Sequence, residues 1–350
     1  MRRRKWLERA KSLLIAVLAL TVLALTVLAL PAKTVTDTPW LAALVRPFAS
    51  VMGLTQGELT ATPMADAASV TGAAQPVAVS VRNPAGRTSF QFDTAALDTA
   101  FEQFGAALGQ ALEGAQEPQR TTALRIQTAL GKTSVAFRYP GEISPALAAS
   151  WLQVETALDE SVRAQWLILA NEDAAVNLYL VGDELFVCQT QLDGDALEQL
   201  LQSCTPDGSF FAFEDAQARF SSVEPLSLLP GQTPQIHAAE AANPCDARFS
   251  DTLAATLGFN PYGDARYTDD AGNTTYTETG YALSISASGE LLLRADVQST
   301  RFQAASGEQA ELVECARSLL SAMTAGVNSD ARLYLTDLEQ NGSESVCTFD

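Results

Sequence analysis

Residues Gln165–Thr190 read QWLILANEDAAVNLYLVGDELFVCQT. Three apolar runs stand out in this stretch: Gln165–Ala170, Ala175–Val181 and Glu184–Thr190. Asn171-Glu172-Asp173 separates the first two, and Gly182-Asp183 the last two. Runs of this length, rich in Leu, Val, Ile and Tyr and bounded by turn residues, read as strands. Connectors this short allow only antiparallel neighbours. The spacing therefore predicts an antiparallel meander, and the rest of the chain is read outward from it.

Upstream, Val77, Val79 and Val81 alternate, Asn83-Pro84-Ala85-Gly86 makes a turn, and Thr88, Phe90 and Phe92 complete a hairpin. Asp93 or Thr94 caps a helix on which Leu97, Phe101, Phe104, Leu108 and Leu112 recur every three or four residues. A second helix near Thr121–Leu130 leads into a strand, Ser134–Tyr139, stopped by Pro140-Gly141. Ser144 as cap and Pro145 at the first position start a helix expected to reach about Ser161. Downstream, helix Asp195–Ser203 and strand Ser209–Phe213 close a first domain at residues 76–220.

Residues 221–245 carry Pro225, Pro230, Pro234 and Pro244 and are read as a linker. The second domain, 246–350, opens with helix Phe249–Leu257, ended by Gly258. Short strands follow at Ala265–Thr268, Thr274–Glu278, Tyr281–Ser286 and Glu290–Ala295. Helix Glu308–Ala325 turns Leu312, Cys315, Ala316, Leu319, Leu320 and Met323 to one face, and Glu308, Glu311, Glu314 and Arg317 to the other. A last hairpin joins Arg332–Leu338 to Glu344–Phe349 through Asn341-Gly342. Helices alternating with antiparallel strand pairs give an α+β class with two domains. A chain that ends inside an apolar strand at Asp350 leaves a bare edge, so the native protein is expected to continue with another strand or more, or the sequence to be incomplete.

Ahead of these domains, Leu13–Leu30 is an eighteen-residue run without charge, Gly or Pro, LLIAVLALTVLALTVLAL. As a helix it is roughly 27 Å long, close to the hydrocarbon thickness of a bilayer. Arg2, Arg3, Arg4, Lys5, Arg9 and Lys11 stand before it and place residues 1–12 in the cytoplasm, with everything after residue 30 outside. The exit, Leu30-Pro31-Ala32, fits a signal-peptidase site poorly, so a retained single-pass anchor is expected. Ser12, Ala16, Ala19 and Thr26 fall near one face of this helix, a strip of small residues that suits contact with another membrane helix. Residues 31–75, rich in Ala, Thr and Pro, read as a stalk.

Of 22 basic and 41 acidic residues, six basic and one acidic lie in residues 1–12, which leaves sixteen against forty for the rest. A body that acidic argues against nucleic acid or another polyanion as a ligand. Lys33 and Lys132 are the only lysines beyond the N-terminal segment.

Cys188, Cys204, Cys245, Cys315 and Cys347 form no C-x-x-C pair and match neither a zinc ribbon nor a redox motif. Cys188 is expected inside a strand and Cys315 on the buried face of a helix. The single histidine, His237, sits in the linker, and no G-x-S-x-G elbow, H-E-x-x-H or phosphate-binding loop accompanies it. Asp193-Gly194-Asp195 and Asp269-Asp270-Ala271-Gly272-Asn273 look like the starts of calcium loops but lack the closing Glu, and read as a helix cap and a hairpin turn. Trp151 and Trp166 are expected in the core. No catalytic, cofactor-binding or metal-ligating residue is assigned.

Two stretches carry a likeness: the opening Arg2-Arg3-Arg4-Lys5-Trp6-Leu7-Glu8-Arg9 before a single membrane helix, and a later segment. The later one is Leu257-Gly258-Phe259-Asn260-Pro261-Tyr262, continuing through Arg266-Tyr267, Tyr276, Tyr281-Ala282-Leu283-Ser284-Ile285 and Gly289-Glu290-Leu291. Both resemble the YycH and YycI proteins. Over residues 76–230 only the order of elements is similar. The resemblance implies a membrane-anchored accessory regulator of a sensor histidine kinase controlling cell-wall metabolism in Gram-positive bacteria. It implies contacts with the kinase and a paralogous accessory protein, and no enzyme site. The strong acidity and scarce lysine of the outer part depart from that family.

The expectation is thus a non-enzymatic extracytoplasmic regulator of a two-component system. An anchored solute- or peptide-binding protein with a cleft between two lobes is the alternative. A cell-envelope hydrolase with paired carboxylates is the third reading.

Overall fold

The computed structural model describes residues 75–235 and 246–350, apart from 174, 264, 297–300, 303, 305, 325–331 and 342–343. The anchor Leu13–Leu30, its strip Ser12, Ala16, Ala19 and Thr26, the stalk up to residue 74, His237 and Cys245 lie outside the described residues. Among the described residues, no helix is long and apolar enough to cross a membrane.

In chain order the elements are β1 (Ala78–Asn83), β2 (Gly86–Phe90), α1 (Thr94–Glu113), β3 (Gln119–Arg120), α2 (Ala123–Leu130), β4 (Ser134–Ile143) and α3 (Pro145–Trp151). Then come β5 (Ala164–Glu172), β6 (Ala175–Val181), β7 (Leu185–Asp193), α4 (Gly194–Leu201), β8 (Phe210–Phe211) and β9 (Leu228–Leu229). The C-terminal part adds α5 (Ala247–Thr256), β10 (Arg266–Thr268), β11 (Thr274–Glu278), β12 (Tyr281–Ile285), β13 (Leu291–Ala295), α6 (Gln309–Thr324), β14 (Leu335–Asn341) and β15 (Glu344–Phe349). All strand pairs are antiparallel, so the class is α+β.

The expected meander, β5-β6-β7, sits inside a seven-stranded sheet of order β2-β1-β4-β5-β6-β7-β3. Alternation along the strands divides two cores between its faces. Val79, Val81, Val135, Phe137, Leu167, Leu169, Leu178 and Leu180 point to one side, under α1, α3 and α4. Ala136, Trp166, Ile168 and Tyr179 point to the other, under Ile126, Ala129 and Leu130 of α2 and under Phe211 and Leu228. Helix α1 begins where Asp93 accepts hydrogen bonds from Ala95 N and Ala96 N, and it ends at Gly114. Leu97, Phe101, Phe104, Leu108 and Leu112 are all buried, as their spacing requires.

A third core, built from residues 246–350 alone, holds Leu253, Ala254, Leu257, Phe259, Tyr276, Leu283, Ile285 and Met323. It lies between α5 and the inner face of a second sheet, ordered β10-β11-β12-β13. Both sheets and the last hairpin belong to one compact unit. Leu335 and Leu338 of β14 and Val313 of α6 join the first core. Leu228–Leu229, within the Pro-rich stretch, pairs with β8 and adds Leu228 to the second.

Several local expectations are corrected. The first hairpin stops at Phe90. Phe92 is 70% exposed with a φ of 67°, because Gln91–Asp93 is turning into the cap of α1. Strand β4 runs on to Ile143 through Pro140-Gly141. Its register on β5 shifts between Arg138 and Ile143, so the N–H that Pro140 lacks is not needed there. Helix α3 ends at Trp151, about ten residues early. Gln153 takes a left-handed φ of 59°, and Thr156 donates its hydroxyl to Leu112 O at 2.7 Å rather than continuing the helix.

Beyond Phe211 the chain turns tightly through Ala212–Glu214, because the Glu214 carboxylate folds back onto Phe211 N at 2.8 Å. Of the expected polar face of α6, Glu308 is exposed ahead of the helix, while Glu311, Glu314 and Arg317 are half-buried, the last two paired to each other. The helix is wedged between two cores, Ala310 and Val313 in the first and Leu319, Leu320 and Met323 in the third. Cys315 is accordingly half-buried rather than buried. Asp350 does have a backbone partner: it exchanges two hydrogen bonds of 2.9 Å with Tyr334.

Candidate interaction surface

The charged groups nearest the cores are paired in ways that leave little for chemistry. Glu172, at the end of β5, accepts hydrogen bonds from Asn177 Nδ2 (2.5 Å), the Tyr179 hydroxyl (2.8 Å) and Arg125 (3.4 Å), with Lys132 Nζ at 3.7 Å. Burial pushes this carboxyl up, but those bonds and Lys132 outweigh it and hold the group below the usual carboxylate range. The same burial, with the Glu172 contact, lifts the Tyr179 phenol to about 12. Asp207 behaves alike: desolvation is outweighed by donors from Ser89 and Ser209. A general acid needs the opposite shift.

Arg87 is the deepest charge. It forks onto Glu214 at 2.7 and 3.1 Å and donates to Ser80 Oγ and Leu130 O, with its guanidinium 4.5 Å above the Phe211 ring. Desolvation lowers its affinity for the proton, and Glu214 partly restores it. This is a structural clamp between β2 and the turn after β8.

Burial pushes the Cys188 thiol to about 11 and raises Cys204, Cys315 and Cys347 as well. Such thiols are poor nucleophiles. Asp193 is the cap of α4. Asp269 spends its oxygens on Ala271 N, Asn273 N and Asn273 Nδ2, holding a hairpin turn. Trp151 and Trp166 are both buried. Among the described residues, no three His, Cys, Asp or Glu side chains are grouped as a metal site would need.

The second sheet is the surface that stands open. Register aligns Tyr267, Thr275, Ser284 and Leu292 in one row across its outer face. Thr275 and Ser284 share a hydroxyl contact of 3.3 Å. Tyr267 at one end is 66% exposed and Leu292 at the other 44%, with Tyr262 nearby in sequence at 88%. Large side chains exposed around a floor of small hydroxyls are what a protein-contact surface offers.

The inner face fixes this sheet rigidly. Tyr276 donates to Asp251 of α5 at 2.7 Å, and the Arg301 guanidinium lies 4.6 Å over Tyr281 while bonding Glu278 at 2.8 Å. This surface is hidden in the sequence because only alternate residues of short strands form it. Leu291-Leu292-Leu293 shows no alternation at all.

Two of the hollows among the described residues lie beside helices. One of about 280 Å³ lies between α5 and α6, where Asp246, Arg248, Thr252 and Thr256 stand beside an apolar wall of Phe249, Leu253, Ala322 and Met323. One of about 170 Å³ lies beside α2, against Val181 and Pro225. In the first, the Asp246 carboxylate is engaged by Phe249 N at 2.7 Å as the cap of α5; the second has Gln127 and Glu224 among its lining residues.

No family model matches the chain, and no curated protein matches it. The chain is similar to YycH. The solved structure of YycH from Bacillus subtilis aligns over 79% of this chain and 70% of that one, at 11% identity and a TM-score of 0.42. The residues that carry the sequence resemblance to YycH and YycI fall together here: Arg266-Tyr267 is in β10, Tyr276 in β11, Tyr281–Ile285 is β12, and Gly289-Glu290-Leu291 enters β13.

Proposed function

We propose that this protein is a non-enzymatic, membrane-anchored accessory regulator of a two-component sensor histidine kinase. In this reading, residues 1–12 lie in the cytoplasm, Leu13–Leu30 crosses the membrane once, and the body described above stands outside the cell. The arrangement of six basic residues, an uncharged run of eighteen and a strongly acidic body carries the reading. The resemblance to YycH and YycI supports it.

The membrane helix would pack beside the kinase through Ser12, Ala16, Ala19 and Thr26. The body would shift the kinase between signalling states by contacting one state better than the other, which is the only way a bound partner can do so. Single cysteines at those four positions test this by crosslinking in membranes, with kinase output as the second readout. A trapped neighbouring helix, together with output lost when Leu13–Leu30 is exchanged for an unrelated anchor, supports the proposal. Intact output after the exchange, with no trapped neighbour, ends it.

A further inference from the structure

Strand β13 is the last strand of the second sheet, and no described strand pairs with its outer edge. Its inner pairing fixes which backbone groups are already used. Ser286 N donates to Glu290 O at 2.8 Å, and Asp296 N donates to Gly280 O at 2.8 Å. In an antiparallel ladder the bonded direction alternates, so residues 290, 292, 294 and 296 turn their backbone toward β12. Leu291, Leu293 and Ala295 turn theirs to the open edge.

The side chains follow the same alternation. Leu291 and Leu293 face inward and are only half-buried against the third core. Glu290, Leu292 and Arg294 face outward and are exposed. Neither the Glu290 carboxylate nor the Arg294 guanidinium has a partner among the described residues. An exposed leucine on an open edge, flanked two residues away on each side by unpaired charges of opposite sign, is complementary to itself.

Laying a second, antiparallel copy of β13 on this edge, with the two-fold axis at Leu292, pairs the outward backbone groups of Leu291 and Leu293 and both charges. Leu291 and the second copy's Leu293 exchange backbone hydrogen bonds through the groups left outward. Leu292 meets the second copy's Leu292 as a close, non-hydrogen-bonded pair. Glu290 meets the second copy's Arg294, and by symmetry the contact occurs twice. Moving the axis to Leu293 would set Glu290 against Asp296 and Leu292 against Arg294. Charge therefore selects the register. The opposite edge, β10, offers only three residues.

We infer that β13 is the docking edge for a second copy of this chain, joining two four-stranded sheets into one of eight strands. The inference is independent of the regulatory reading above. A join of about five residues a side is smaller than the roughly 1,200 Å² of a standard interface, so the dimer forms and separates with concentration.

The test uses the full chain in detergent with Leu292→Cys, oxidised and read as the 292–292 linked peptide. A close antiparallel pair sets the Cα atoms about 4.5 Å apart, within disulfide reach. Linked peptide several-fold above that from Tyr267→Cys, on the opposite edge, is expected. In the Leu292→Cys background, Glu290→Arg and Arg294→Glu each place like charges face to face and should lower the yield about five- to ten-fold. The two together exchange the charges and should restore it. Absence of the link, indifference to the single reversals, or failure of the double change to restore it overturns the inference. Sedimentation of the chain with its native cysteines gives a second reading: mass rising from one copy to two with concentration, and falling back in Arg294→Glu. A monomer throughout, or a dimer unmoved by Arg294→Glu, overturns it equally.

Discussion

The hydroxyl of Ser144 donates a 2.7 Å hydrogen bond to Oε1 of Gln309, and neither side chain reaches solvent. The same oxygen accepts Leu147 N at 3.1 Å as the cap of α3. One atom thus closes a short helix and ties it to α6, 165 residues further along the chain.

Replacing that serine removes both contacts. Loss of the cap costs about 1 kcal/mol, and an orphaned buried amide oxygen about 1–3 kcal/mol. Ser144→Ala should therefore destabilise by about 2–4 kcal/mol in urea unfolding followed by tryptophan fluorescence. Adding Gln309→Leu, which removes the orphaned group, should recover part of the loss. A change under about 0.5 kcal/mol in the single variant would mean the tie contributes little.

Gly141 marks the approach of the last hairpin to the large sheet. A Cβ at this position would run into the backbone carbonyl of Thr336 in β14, which no side-chain rotation can relieve. Gly141→Ala should cost about 1–3 kcal/mol. The effect should appear as faster hydrogen exchange over 335–349, with β5 and β6 still protected. Gly307→Ala, where nothing lies within 4 Å of the added carbon, should stay within about 0.5 kcal/mol of the parent.

Acid should act through Glu172. Its carboxyl is held below the ordinary value, so the folded state binds the proton more weakly than the unfolded chain. The stability this group contributes is full above the unfolded value of about 4.3 and is lost as pH falls through the depressed folded value. Glu172→Gln should flatten that part of the acid-unfolding profile. An unchanged profile would show that the network around Tyr179 and Asn177 does not favour the charged form.

Much of the large sheet is legible in the sequence because its signals are local. Strands β5, β6 and β7 are continuous apolar runs between turn residues, and the caps Asp93, Ser144 and Asp193 stand at helix starts. The hairpin turns around Asp269 and Ser288 are likewise visible. What stayed hidden is set by distant contacts.

Pro140-Gly141 reads as a stop, yet Gly141 is there to admit β14. Nothing near Trp151 announces the end of α3, since Thr156 is drawn away by Leu112 O. Helix α6 reads as one-faced because its pattern averages over two cores that take different turns of it. The open surface of the second sheet was harder still. Three successive leucines in β13 hide which of them faces out, and only the pairing with β12 decides it.

The placement of β14 also has a consequence for synthesis. Strand β4 leaves the ribosome some two hundred residues before the hairpin that covers its far end. Until that hairpin arrives, the first core stands open along Tyr139–Ile143, with Leu335 and Leu338 both missing. Sealing by such remote segments is slow to form and leaves apolar surface bare in the nascent chain. The newborn polypeptide therefore needs shelter along that seam, and an early stop before residue 335 releases a body whose oldest part is never closed.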